Sequence, residues 1–183
     1  TKRDSVSTEK EQAVVTLGFQ GCTLGDADRY AMDLISEALN DMGSRLFLKI
    51  REELGLAYYV GTQNFAGRIP GCFTFYAGTA AKSAAQVEEE LINQAKRLAK
   101  EGLTEDELRR AKAKLTGHKK IARQDLGSVA FATCMDELLG LGYNHHAEED
   151  IRIESVTLEQ VRDVANRYFG TEQFATAVSL PSN

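Results

Sequence analysis

The sequence predicts an α+β fold in which an antiparallel sheet is covered by helices on one face. Short segments with alternating apolar residues stand near both ends of the chain and around a central turn, and longer segments between them show helical spacing. The helical segments come in blocks instead of alternating regularly with strands. With 183 residues and two prolines, the chain is expected to form a single domain spanning residues 1–183.

The first part of the chain predicts a strand followed by two helices. Its first ten residues are polar, and we expect them to be frayed. The segment AVVTLGFQ (13–20) alternates and is typical of a half-buried strand. Helical spacing begins at Asp26 and runs to Met42, after which Ser44 is placed to cap a shorter helix that Gly55 ends.

A hairpin is predicted at the centre of the chain, where AYYVGTQNFA and CFTFYAG flank the turn GRIPG. A long helix is predicted over residues 81–100, and FATAVSL (174–180) predicts the closing strand. Two capping-box patterns, Thr104 with Glu107 and Thr157 with Gln160, predict the starts of two further helices. Between them, Gly127 is expected to separate an apolar helix from the helix before it.

Composition narrows the class of partner. The 22 basic and 27 acidic residues give a net charge of −5, which disfavours a nucleic-acid partner. No run of apolar residues approaches the roughly 18 that a membrane span requires, so no membrane segment is predicted. Cys22, Cys72 and Cys134 are widely spaced and form no C-x-x-C pair, which predicts three buried thiols in a reducing compartment and favours the cytoplasm.

The usual strings of a metal or nucleophile site are missing from the sequence. Neither H-E-x-x-H nor its inverse H-x-x-E-H occurs, and there is no nucleophile elbow or phosphate loop. The one tempting cluster is HHAEED, from His145 to Asp150. Adjacent helical histidines point about 100° apart, so a solvated loop before an acidic helix N-terminus is favoured, with metal binding as the alternative. We therefore predict neither a metal nor a cofactor in this chain.

Arg51 and Tyr58 are the candidate site residues. Arg51 lies near the end of a predicted helix and Tyr58 opens the next strand across the turn at Gly55, so both can face one cleft. Their donors can bind peptide carbonyls or a developing oxyanion, but they cannot activate water. Strand alternation is expected to turn the neighbouring Tyr59 to the opposite face. The alternative is an arginine that reaches into solvent and a tyrosine that merely packs.

The segments around this pair, GSRLF (43–47) and REELGLAYYV (51–60), resemble the C-terminal-domain signature of the pitrilysin/insulinase family of zinc peptidases, which includes mitochondrial processing peptidases. Further likeness lies in VVTLGFQG, DADRYAMDLISEAL, GLTEDELRRAKAKL and SVTLEQVRDVA, so it extends from about Gln12 to Leu180. The chain departs from the family at Tyr59, where serine is frequent, and at NDMGS (40–44), where the family is richer in glycine.

The resemblance implies a half-clamshell, similar to the processing peptidases. In that family the N-terminal half holds zinc through H-x-x-E-H and a downstream glutamate, and the C-terminal half supplies an arginine and a tyrosine from across the cavity. Arg51 and Tyr58 match that pair, which implies Tyr58 near the scissile carbonyl, assisting the transition state, and Arg51 on the substrate backbone.

The partners implied by the resemblance are a peptide substrate and a zinc-bearing N-terminal domain or partner subunit. Zinc would belong to that other half, and this chain would bind substrate for a zinc-dependent endopeptidase while being inactive alone. The family also contains non-proteolytic core subunits of a respiratory complex, so a structural or assembly role is the alternative. Such a subunit has no need of Arg51 and Tyr58, and their presence favours the peptidase.

Overall fold

The computed structural model describes residues 2–182, which contain a five-stranded sheet in the order β1-β5-β2-β4-β3. Strands β2 to β5 pair antiparallel, whereas β1 lies parallel to β5. The predicted α+β class is confirmed, and the sheet is mixed at one edge instead of wholly antiparallel. The strands are β1 (Lys2–Thr8), β2 (Ala13–Gln20), β3 (Ala57–Phe65), β4 (Cys72–Thr79) and β5 (Phe174–Pro181).

The expectation of a frayed N-terminus was wrong, because β1 forms the edge strand beside β5. All its residues from Lys2 to Ser7 are exposed, so no apolar alternation marks the strand in the sequence. Backbone pairing holds it instead, and the Ser182 amide extends that pairing by donating to the Thr8 carbonyl at 2.7 Å. The hydrogen bonds between strands use backbone N–H and C=O groups, which nearly every residue carries. Such pairing therefore produces no side-chain pattern in the sequence.

Helices cover the face of the sheet that carries its large apolar side chains. Along β2 and β4, buried residues alternate with half-buried ones, so only one face enters the core. Phe169 lies at the centre of that core, with its ring centroid 4.9 Å from Phe73 and 5.7 Å from Phe75. The helices are α1 (Arg29–Leu39), α2 (Arg45–Phe47) continued by π-helical turns (Leu48–Glu53), α3 (Ala84–Glu101), α4 (Glu105–Ala122), α5 (Leu126–Leu138), α6 (Glu149–Ser155) and α7 (Leu158–Phe169).

Local signals set most helix boundaries as expected. Both capping boxes form, at the start of α4 and of α7. The break before α5 was misplaced, because α4 ends at Ala122 and the Asp125 carboxylate caps α5 by accepting from the Ser128 amide at 2.6 Å. Gly127 lies inside α5. In the described part of the chain, every helix is too short or too polar to cross a lipid bilayer.

The three cysteines are free thiols but do not share one environment. Cys22 is buried, and burial followed by the charge of Asp33 raises the pKa of its thiol to about 11. Cys72 and Cys134 are exposed, so the expectation of three buried thiols was wrong for two of them. Cys72 begins β4 beside the hairpin turn, and Cys134 lies on the outward side of α5.

Candidate functional site

The helix that carries Arg51, residues Arg45–Glu53, is fixed at its start and along one side. The Ser44 side chain accepts a hydrogen bond from the Phe47 amide at 3.1 Å, which is the predicted cap. Leu46 and Ile50 are fully buried four residues apart. Because these two anchor the inner side of the helix, Arg51 is left on the exposed side.

An ion pair ties the Arg51 helix to α4. Arg45 donates two hydrogen bonds to the Glu107 carboxylate, one of them 2.8 Å long from Nε, and the Thr104 amide donates to the same carboxylate. Burial alone would raise the pKa of Glu107, but the hydrogen bonds from Arg45 and Thr104 outweigh it and lower that pKa. The capping residue of α4 therefore also positions the helix of the site.

The turn between Arg51 and Tyr58 has an unusual backbone. The Leu54 amide donates to the Lys49 carbonyl at 3.1 Å, a π-helical spacing, and the Leu56 amide donates to the Ile50 carbonyl at 2.9 Å. Gly55 lies between them at φ +61°, the left-handed conformation expected at this helix end. π-Helical turns are rare and frequently lie at functional sites.

Tyr58 occupies a β-bulge at the start of β3. Ala57 pairs with Thr79 and Tyr59 with Gly78, so Tyr58 is the extra residue between two consecutive pairs. A bulge interrupts strict alternation and redirects a side chain. The expectation that alternation alone places Tyr58 and Tyr59 on opposite faces therefore does not apply here. Tyr58 is 56% exposed and Tyr59 43% exposed.

The guanidinium of Arg51 is left without an acidic partner. It lies 4.9 Å from the centre of the Phe47 ring, and within residues 2–182 it makes no ion pair and no hydrogen bond. Nor does any hydrogen bond or ring contact join it to Tyr58 within that range. Arg51 and Tyr58 are thus both exposed, on either side of the turn at Gly55, and do not touch each other.

Both residues lie on open surface of this chain and not in a closed cleft. Leu48 and Leu54, three residues before and after Arg51, are also exposed, at 49% and 36%. The molecule's cleft of about 510 Å³ lies elsewhere, between the start of α1 and helices α6 and α7, and its lining contains neither Arg51 nor Tyr58. The surface offers hydrogen-bond donors and apolar area for a ligand, but it offers no general base.

The two histidines of HHAEED are half-buried, and both form hydrogen bonds with side chains of other elements. The Tyr30 hydroxyl lies 2.9 Å from His145 Nε2, and Arg152 donates to His145 Nδ1 at 3.0 Å. His146 Nδ1 lies 2.9 Å from the Asp136 carboxylate on α5. Burial, followed by the charges of Arg152 and Arg29, lowers the pKa of His145.

The carboxylates of the same segment are also paired. Glu149 is buried and accepts from Arg29 at 3.3 Å and from Lys119 at 2.6 Å, while Asp150 accepts from Arg123 at 2.7 Å. Among residues 2–182, no group of three or more histidine, cysteine or acidic side chains is placed to hold a metal ion. The segment leads into the acidic first turn of α6 as expected, but its side chains form a network joining α1, α4, α5 and α6, so the expected solvated loop was wrong.

The chain is similar in sequence to proteins named as zinc proteases, and it shares its fold with solved protease structures. The sequence model described as "Peptidase M16 inactive domain" matches residues 1–115. An uncharacterised zinc protease of Bacillus subtilis is 32% identical to this chain over its whole length, and the match covers 44% of that protein. Another, from Streptomyces coelicolor, is 35% identical over 90% of this chain, and the match covers 36% of that protein. Two crystal structures, a Helicobacter pylori protease and a peptidase M16 inactive domain from Pseudomonas fluorescens, share its fold at 21% identity. Their TM-scores are 0.86 and 0.82, over 98% and 100% of this chain and 44% of each of theirs.

Proposed function

The chain belongs to the peptidase M16 family as a copy of its inactive domain, and from that premise we propose that it is the substrate-binding C-terminal domain of a zinc-dependent endopeptidase. The family match confirms the resemblance seen in the sequence. The residues of this chain do not form a zinc site in the described range. Zinc, and with it the activation of the attacking water, belongs in this proposal to an N-terminal domain or a partner subunit.

The observation that carries the proposal is that the Arg51 guanidinium has no acidic partner among the described residues and that the Tyr58 side chain, seven residues later, is exposed. Most other arginines in the described part of the chain form ion pairs with carboxylates, as Arg45 does with Glu107. A positively charged fork without a partner is suited to peptide carbonyls, which accept hydrogen bonds in the ground state and the transition state alike. The Tyr58 hydroxyl is suited to donate to the oxyanion that develops when the carbonyl is attacked.

The substrate in this proposal is an extended peptide, and β3 offers an edge for it because it is the last strand of the sheet. The edge is not free along its whole length. The Asn40 side chain pairs with Thr62 like a neighbouring strand, donating to its carbonyl and accepting from its amide, both at 2.7 Å. A peptide that adds to β3 therefore has its room on the Tyr58 side of Thr62.

The test combines this chain with the zinc-bearing half and follows cleavage of a fluorogenic peptide. Tyr58→Phe removes one hydroxyl and little volume, and it should lower kcat by about 10²–10³, as loss of one oxyanion donor does. Tyr59→Phe is the matched control, because the Tyr59 ring lies directly over Gly78 and its loss of a hydroxyl should leave kcat unchanged. If Tyr58→Phe keeps full kcat/KM, Tyr58 merely packs, and the alternative of an assembly module is favoured.

A further inference from the structure

The cleft between the start of α1 and helices α6 and α7 has the composition of a small-molecule site. Its volume of about 510 Å³ lies within the roughly 300–1,000 Å³ of known ligand pockets. Ala31, Val156 and Val164 form an apolar inner lining, since each is at most 8% exposed. Polar groups around such a lining fix the orientation of a bound small molecule. The polar side chains here are Asp26, Tyr30, His145, Arg152, Gln160 and Asp163.

The two arginines that line the cleft already have acidic partners. Arg167 donates to the Asp28 carboxylate at 2.5 Å, and Arg152 donates to the Glu148 carboxylate at 2.8 Å. Asp163 lies four residues before Arg167 on α7, a spacing at which such residues often pair, but Arg167 is turned to Asp28 instead. Among residues 2–182, Asp163 forms no hydrogen bond and no ion pair. Its carboxylate is therefore left for a ligand.

A second carboxylate of the cleft also lacks a basic partner. Asp26 accepts from the Thr23 amide at 2.6 Å, and hydrogen bonds from the Thr23 backbone and side chain lower the pKa of Asp26. The Asp26 carboxylate is therefore charged at neutral pH, and within the described range it forms no ion pair. Because its lining carries three carboxylates against two guanidinium groups, the cleft favours a positively charged ligand.

The hydroxyl of Tyr30 provides a hydrogen-bond donor on the α1 side of the cleft. A guanidinium only donates, so the Nδ1 atom of His145, 3.0 Å from Nη1 of Arg152, is an acceptor. Burial, followed by the charges of Arg152 and Arg29, lowers the pKa of His145, so at neutral pH its ring carries one hydrogen, on Nε2. That N–H donates to the Tyr30 oxygen at 2.9 Å. The Tyr30 O–H thus has no acceptor among the described residues and is available to a ligand.

A second donor lies on α7. The Gln160 side-chain oxygen accepts from the Thr157 amide at 2.8 Å in the capping box, which leaves the side-chain NH₂ group unused among residues 2–182. Gln160 lies three residues before Asp163, so this donor and the unpaired carboxylate are neighbours on one side of the helix. The cleft therefore combines a negative charge for a cation with donors for oxygen atoms.

We propose that this cleft binds a small ammonium compound that also carries an accepting oxygen, the chemistry shared by free amino acids and dipeptides. The ammonium group pairs with Asp163, and the carboxylate or carbonyl oxygens accept from the Tyr30 hydroxyl and the Gln160 amide. An apolar side chain of the ligand packs on the inner lining. Neither Arg51 nor Tyr58 lines the cleft, so the inference does not rest on the proposed function.

Titration of the ¹⁵N-labelled chain with leucine, followed by NMR, tests the site. Leucine should shift the Gln160 side-chain signal and backbone amides within residues 24–31 and 155–167, with a Kd of about 1 mM or tighter. The same titration with leucyl-leucine shows whether a free amino acid or a dipeptide is the better ligand. The compound 3-methylbutylamine lacks the oxygens and 4-methylpentanoate lacks the ammonium group, so each should bind at least about fivefold more weakly than leucine.

Three results of these titrations would overturn the proposal. The first is the absence of shifts with both leucine and leucyl-leucine at about 10 mM. The second is binding of 3-methylbutylamine or 4-methylpentanoate as tight as that of leucine. The third is a set of shifts confined to residues outside the cleft.

Two variants give an independent arm. Asp163→Asn removes the charge that pairs with the ammonium group and should weaken leucine binding at least about tenfold. Glu159→Gln is the matched control, because this carboxylate lies on α7 outside the lining of the cleft, and it should change the affinity less than about twofold. Both side chains are exposed, so both variants should keep the wild-type melting temperature. Tyr30→Phe removes the facing donor and should weaken binding about fivefold. An affinity of Asp163→Asn within about twofold of wild type would overturn the assignment, whatever Tyr30→Phe does.

Discussion

Two segments of this chain were candidates for chemistry in the sequence, and their side chains have opposite surroundings in the structure. The segment His145–Asp150 holds two histidines and three acidic residues, yet its side chains are taken up by partners on four helices. The segment Arg51–Tyr58 holds one arginine and two acidic residues. Its arginine has no acidic partner within the described residues, and its tyrosine is exposed in a bulge.

This difference shows that a polar side chain is a candidate for binding a ligand when its hydrogen-bonding groups are not already used within the protein. Lys119 and Arg29 pair with the Glu149 carboxylate, which is therefore not available to a ligand. A guanidinium held over the Phe47 ring by a capped and anchored helix keeps its donors available. The comparison predicts that changes to the paired side chains of the first segment lower stability, and that changes to the Arg51 and Tyr58 side chains of the second segment affect substrate handling.

The largest loss of stability is expected from Glu149→Ala. It leaves Arg29 and Lys119 without their shared carboxylate at a site where Glu149 is 7% exposed. We expect a loss of about 3 kcal/mol in the free energy of unfolding, the low end for breaking a buried ion pair, because Lys119 is partly exposed. Urea unfolding measures this, with Glu148→Ala at a neighbouring exposed ion pair as the control. Equal, small losses in both variants would show that the network does not stabilise the fold.

A smaller loss is expected at the turn of the second segment. Gly55→Val places a β-branched residue at φ +61° and should cost about 1–3 kcal/mol through backbone strain, since an added Cβ meets no neighbour. Gly55→Asn is the control, because asparagine tolerates this conformation better. Thermal unfolding distinguishes the two. An unchanged melting temperature for Gly55→Val would mean that the turn can be built in another way.

A weaker effect is expected from the pH dependence of the first segment. The folded state lowers the pKa of His145 from its ordinary 6.5, so the unfolded chain binds the proton more readily. The stability that the fold gains by holding His145 neutral is fully present above pH 6.5. It is lost as the pH falls through 6.5 toward the pKa of His145 in the folded state. Between about pH 7.5 and 5.5, His145→Gln should therefore flatten the decline in unfolding free energy.

The smallest effect is expected from zinc. Since the histidines and carboxylates of the first segment are engaged with other side chains, purified tag-free chain should contain well under one zinc per molecule. Metal analysis checks this, and added zinc should leave the melting temperature unchanged. One tightly bound ion that His145→Ala releases would contradict the contrast between the two segments.

The sequence predicted the fold wherever side chains carry the signal. The alternation in β2, the Ser44 cap and both capping boxes depend on local side-chain chemistry, and each forms as expected. The edge strand β1 was missed because its side chains are exposed and show no apolar alternation; backbone pairing with β5 and the ion pair of Arg3 with Glu88 hold it. Helix α5 was predicted correctly as apolar, but a periodic pattern does not reveal that none of its residues is buried.

The candidate site residues remain a prediction from the sequence, and the structure adds local geometry that the sequence did not indicate. The turn at Gly55 could be expected from a glycine between helix and strand. The bulge at Tyr58 and the π-helical turns before it depend on register with β4 and on buried Ile50, which no spacing in the sequence displays. The engagement of Glu149 could not be foreseen, because its partners lie 30 and 120 residues away along the chain.

The most direct test of the account compares Arg51→Ala with Tyr58→Phe in the enzyme reconstituted with its zinc-bearing half. Both residues are exposed, so both variants should unfold within about 0.5 kcal/mol of wild type. Steady-state cleavage should show kcat reduced by about 10²–10³ for Tyr58→Phe, and KM raised for Arg51→Ala at least as much as kcat falls. If both variants cleave at the wild-type kcat and KM, the unpaired arginine and the exposed tyrosine do not handle substrate, and the central claim is contradicted.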